Sequence, residues 1–71
     1  MNEDDHVNTT ATVTVPTDVA YTDKIDKHIQ RTFDCTFKIW RKRPSGGTTT
    51  LEVSSPRADA IAAEIARVFG G

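Results

Sequence analysis

The stretch CTFKIWRKRPSGGTTTLEVS, residues 35–54, sets Cys35, Phe37 and Ile39 in alternation with Thr36, Lys38 and Trp40, and Leu51 and Val53 in alternation with Thr50 and Glu52. A period of two with one apolar side is the pattern of a β-hairpin that buries one face. The run between the two strands, Arg41-Lys42-Arg43-Pro44-Ser45-Gly46-Gly47, loads the tip with cations and glycine. Placing Ile39 opposite Leu51 and Phe37 opposite Val53 puts Lys38 across from Glu52, Trp40 across from Thr50 and Lys42 across from Thr48. The Lys38–Glu52 pair expected from that register is worth ~0.2–1 kcal/mol.

Before the hairpin, Ala11, Val13 and Val15 alternate with Thr12 and Thr14, a β-branched strand closed by Pro16. From Thr17 or Asp18 to Phe33 the period changes. Tyr21, Ile25, Ile29 and Phe33 recur every four residues, with Asp23, Lys24, Asp26, Lys27 and Arg31 between them, which predicts one amphipathic helix, acidic at its start and basic at its end. After the hairpin, Ser55-Pro56 offers an N-cap and a first-turn proline, Ile61, Ile65, Val68 and Phe69 mark one helical face, and Gly70 offers a left-handed stop.

The order βαββα with short connections implies an α+β fold, a two-layer sandwich in which a three-stranded sheet carries two helices on one face. Thr12, Thr14, Lys38, Trp40, Lys42, Thr50 and Glu52 then share the open face, where an exposed tryptophan stands among lysines. Residues 1–9 are polar, acidic and aperiodic and read as a disordered tail, leaving 10–71 as one small domain.

With 71 residues and 37% apolar content, the chain has material for a modest core only. The single cysteine, Cys35, excludes an internal disulfide and reads as a reduced packing thiol. No apolar run reaches the ~18 residues of a membrane span, and Met1-Asn2-Glu3-Asp4-Asp5 is unlike a signal peptide. These features imply a soluble protein, cytoplasmic or otherwise intracellular, with no membrane partner. The net charge of −1 conceals segregation: six acids against Lys24 in residues 1–26, then seven bases against Asp34 and Glu52 in residues 27–57. An anionic ligand responds to such a local field, because salt screens charge beyond ~10 Å.

The strand ending Val15-Pro16, the run Ile29-Gln30-Arg31-Thr32-Phe33-Asp34-Cys35-Thr36-Phe37-Lys38-Ile39 and the helix from Ser55-Pro56 to Phe69 resemble a type I KH domain, a module that binds single-stranded nucleic acid. The resemblance spans roughly residues 11–69 and would make the hairpin tip that family's variable loop. It is a degenerate likeness, since the Gly-x-x-Gly loop that clamps nucleotide backbone reads Ala20-Tyr21-Thr22-Asp23 here. Pro16 to Ile29 is also short for the family's two helices and loop, so one continuous helix is expected. Less closely, the helix, Phe33-x-Cys35 and hairpin resemble the start-codon-monitoring initiation factor fold.

Four cations at the tip, Lys38, Arg41, Lys42 and Arg43, beside Trp40 suit phosphates and a stacked base, with Lys27 and Arg31 extending the basic surface. The expected function is a non-enzymatic module for single-stranded RNA or DNA. The alternative is a protein-interaction or self-association domain, such as a viral or mobile-element accessory protein, that takes a protein partner or a second copy on its open sheet face. No cofactor is implied. His6 and His28 lack metal-ligand spacing with Cys35, and Asp18, Asp23, Asp26 and Asp34 are not forced into a pocket for acid–base chemistry. Thr48-Thr49-Thr50 reads as strand, and Gly70-Gly71 as a helix stop, not a conjugation tail.

Overall fold

Threonine alternating with small and branched apolar residues makes Thr9–Pro16 a strand, β1, whose Ala11, Val13 and Val15 point inward. The computed structural model describes residues 8–70. It continues as α1 (Thr17–Ala20), α2 (Lys24–Thr32), β2 (Lys38–Arg41), β3 (Thr48–Ser55) and α3 (Ala58–Phe69). The sheet is antiparallel with order β1-β3-β2, and the helices cover one side of it. The expected acidic tail falls largely on residues 1–7, outside the described chain. Its last residue, Thr9, belongs to β1, pairs with Ser55 and donates its hydroxyl to the Ser55 carbonyl at 3.1 Å.

The core between the layers is Val15, Ala20, Ile25, Ile29, Leu51, Val53, Ala58, Ile61, Ala62 and Ile65. Phe33, Cys35, Phe37, Ile39 and Phe69 pack around it partly buried. Every sheet residue in this set lies on the side opposite Thr12, Thr14, Trp40 and Glu52, as a period of two requires. Two members of the expected apolar stripes lie outside it. Val68 is 41% exposed on the outer side of α3, and Tyr21 is 54% exposed.

The expected single helix from Thr17 to Phe33 is two helices, and the break explains Tyr21. At the end of α1 the Thr22 hydroxyl and amide both donate to the Val19 carbonyl, at 2.8 and 3.1 Å, which closes the turn and stops the ladder. Arg41, reaching in from β2, then donates from Nε to the Ala20 carbonyl and from Nη2 to the Thr22 carbonyl. Carbonyls that would have continued the helix are thus taken by a guanidinium. The stretch from Thr17 to Thr32 therefore holds two helices and a link in place of one continuous helix.

The hairpin register also differs. Gly46 and Gly47 have φ of +62° and +83°, the conformation of a two-residue turn that follows the twist of the strands. Ser45 and Thr48 close it with reciprocal backbone hydrogen bonds of 2.8 and 3.1 Å. Further down, the Lys42 amide donates to the Thr50 carbonyl at 2.9 Å, so Arg43 and Pro44 together face Thr49 alone. This is a bulge, placed where proline has no amide to donate. Turn and bulge set Ile39 against Val53 and Trp40 against Glu52, two residues from the expected pairing. A slip of two keeps every side chain on its face. It does replace the expected Lys38–Glu52 pair: Lys38 faces Ser54, and Glu52 meets Lys42 Nζ at 3.4 Å.

The β2 strand begins only at Lys38, so Cys35 sits in the irregular approach, its Sγ 3.6 Å from Ser55 Oγ. Ser55 ends β3 instead of capping α3. Its buried hydroxyl donates to the Thr36 carbonyl at 2.8 Å and accepts from the Arg57 amide at 3.1 Å, holding the turn two residues ahead of the helix. Gly70 ends α3 at φ −76°, in the right-handed region, where a Cβ would lie 2.5 Å from the Ala66 carbonyl oxygen.

The α2 and α3 helices are tied by His28 and Glu64, Nε2 to Oε2 at 2.7 Å, and Arg67 grips the same carboxylate at 2.7 and 3.2 Å. Since the carboxylate only accepts, His28 donates from Nε2. Hydrogen bonding from Arg67, then from His28, holds the Glu64 carboxyl below its ordinary range. A carboxyl with a lowered folded value stabilises the fold above the ordinary value, and that contribution is lost as pH falls through the lowered one. Thermal midpoints measured from neutral into acid pH are therefore expected to fall less steeply for Glu64→Gln than for wild type below about pH 4.5. Parallel acid limbs would show that the carboxylate contributes nothing specific.

Candidate nucleic-acid interface

The open face of the sheet is where the fold exposes its unusual side chains. Lys38, Trp40 and Lys42 project from it in sequence along β2 and its continuation, two residues apart, as strand geometry dictates. Trp40 is 51% exposed, with Glu52 directly across from it. Lys42 is partly neutralised by Glu52, whereas Lys38 and Arg43 make no ion pair among the described residues. Thr14 and Thr50 join hydroxyls at 3.3 Å beside them. The local balance is cationic, with one aromatic plate.

At the end of this face away from the turn lies a depression of about 350 Å³ lined by Asn8, Thr36, Phe37, Lys38, Trp40 and Ser54. Local pattern in the sequence marks neither Asn8 nor Ser54 as a lining residue. The register sets Ser54 directly beside Lys38 at this depression.

The structure separates the cations that the sequence groups together. Arg41 points to the helix layer, because it is in phase with Ile39 and not with Trp40. Besides the two carbonyls, its Nη2 meets Asp26 Oδ1 at 2.8 Å, and the side chain is only 22% exposed. It is a structural fork, not a ligand-facing cation. Lys27 and Arg31 lie on α2, in the layer on the other side of the sheet, and Lys27 pairs with Asp23 at 3.3 Å. They do not extend the surface around Trp40.

The exposed ring of Tyr21 sits at the α1–α2 link, its hydroxyl donating to the Lys42 carbonyl at 3.2 Å. It anchors the start of the hairpin tip to the helix layer. Thr17 does the same for the turn, its amide donating to the Gly47 carbonyl at 2.9 Å and its hydroxyl meeting buried Thr49 at 3.1 Å. The tip is thus held in place by two residues of the α1 segment.

Among the described residues, no group of three or more His, Cys, Asp or Glu side chains converges as a metal site, and no helix is long and apolar enough to cross a membrane. The chain matches no known family, no curated protein and no solved structure.

Proposed function

We propose that this chain is a small non-enzymatic module that binds single-stranded RNA or DNA on its open sheet face. The observation that carries the reading is the half-exposed indole of Trp40 set between Lys38 and Lys42, with exposed Arg43 beyond. Lysine and arginine neutralise phosphates with release of counterions, and the indole stacks on a base, worth ~1–3 kcal/mol. The order of β1, two short helices, a hairpin and a last helix supports a KH-like reading of the architecture. The link Tyr21-Thr22-Asp23 does not support backbone clamping in that family's manner: it has no glycine, its Thr22 carbonyl and that of the preceding Ala20 are bound by Arg41, and Asp23 repels phosphate. Binding is therefore assigned to the opposite face.

Titration of short unstructured oligonucleotides carrying a fluorescent label, read by fluorescence anisotropy at several salt concentrations, tests the proposal. Lys42→Ala and Arg43→Ala are each expected to weaken binding and to flatten log affinity against log salt by about 0.7 for each phosphate that is no longer neutralised. Trp40→Ala is expected to weaken binding with the slope unchanged, because stacking releases no counterions. Wild type with no salt-sensitive binding at near-millimolar protein would sink the reading. Self-association is then favoured by the exposed edge of β2, and a drop in sedimentation mass on Trp40→Ala would support it.

A further inference from the structure

Resting on that reading, we propose that the depression beside Trp40 receives one nucleobase of the bound strand and selects among bases, while the cations along β2 hold the adjoining phosphates. At about 350 Å³ it lies at the lower end of the roughly 300–1,000 Å³ of small-molecule sites, enough for one base and not for several. Its lining divides by chemistry. Trp40 supplies apolar ring surface, Lys38 supplies charge for a phosphate, and Asn8, Thr36 and Ser54 supply an amide and two hydroxyls that donate and accept. A π-face accepts any base, whereas amides and hydroxyls at its rim address the base edge, where bases differ.

The remaining cations set direction and length. From Lys38 to Lys42, the cations in phase on the open face, the chain spans about 13 Å at roughly 3.3 Å per residue. A stacked strand spaces its phosphates by about 3.4 Å, and an unstacked one by more, so the face covers about three to five nucleotides. One end of that footprint is selective and the other is electrostatic only.

Homo-oligomers of thymidylate, adenylate, cytidylate and guanylate, from one nucleotide to about ten, titrated against Trp40 fluorescence, test the assignment. Affinity is expected to climb to about five nucleotides and then to rise only with the number of registers, and the four bases are expected to differ by about fivefold or more. Ser54→Val puts a branched apolar side chain at the depression and removes a hydroxyl. It is expected to abolish the ranking of bases at unchanged salt slope, with a far-UV melt confirming the fold, whereas Arg43→Ala lowers affinity and preserves the ranking. If oligonucleotides bind in a salt-sensitive way but Ser54→Val keeps the ranking, or the climb continues past about eight nucleotides, the depression is not a base site although the nucleic-acid reading stands. If no oligonucleotide binds, both fall together.

Discussion

Replacing Ile65 by alanine is expected to remove ~2–5 kcal/mol of stability, and Ile61→Ala a similar amount. Both side chains are fully buried on the face of α3 that packs across β1. A chain of 71 residues has, at ~0.05–0.15 kcal/mol per residue, only about 4–10 kcal/mol in total, so one such cavity removes much of it. At ~4–8 °C per kcal/mol, the thermal midpoint should fall by ~10 °C or more. Far-UV circular dichroism is the suitable probe, because the only tryptophan is already half exposed in the folded state. Val68→Ala, on the outer side of the same helix, should stay within ~0.5 kcal/mol of wild type. Equal effects at positions 65 and 68 would mean that α3 is not seated as described.

Arg41→Ala is expected to act on stability and not on ligand affinity. The guanidinium satisfies two carbonyls at the α1–α2 link and pairs with Asp26, and each charge-assisted hydrogen bond contributes ~1.5–3 kcal/mol without simple additivity. A net loss of about 2–4 kcal/mol follows. Arg41→Lys should recover little, since an ammonium is a single charge that cannot reproduce the planar fork. Chemical denaturation measures the loss, and oligonucleotide titration of the folded variant checks the salt slope. A stable Arg41→Ala protein with a flattened slope would return Arg41 to the ligand surface.

The same residue shows where reading from sequence stops. Alternation reveals all three strands and their inward faces, since burial of one side leaves a period of two in the chain itself. The i, i+4 spacing reveals Ile25, Ile29, Ile61 and Ile65 as core, and from these the two-layer arrangement follows. The break after Ala20 has no comparable local mark. Its cause includes Arg41, far along the chain, and an unbroken apolar stripe through Tyr21 hides it. The hairpin register depends on recognising Gly46-Gly47 as a complete turn with a bulge behind it, not as a loose loop. Within the candidate site, Trp40, Lys38 and Lys42 are recoverable from phase alone. Arg41 is misplaced when charge clustering is allowed to outweigh the same phase rule.

The sheet order carries a consequence for how the chain acquires its structure. The β3 strand is the last of the three in sequence, yet it lies between the other two, and β1 and β2 never touch as a pair. Neither earlier strand has a backbone neighbour until β3 is present. The β2–β3 hairpin closes a short loop, but β1 must wait to join across the whole intervening segment, at a higher entropic cost. A ribosome extending this chain therefore releases β1 and both short helices without the strand that completes their sheet. Native packing arrives late, after Ser55 has emerged, and until then the inward edges of Val13, Val15 and Ile39 are surfaces that the cell must keep from other chains.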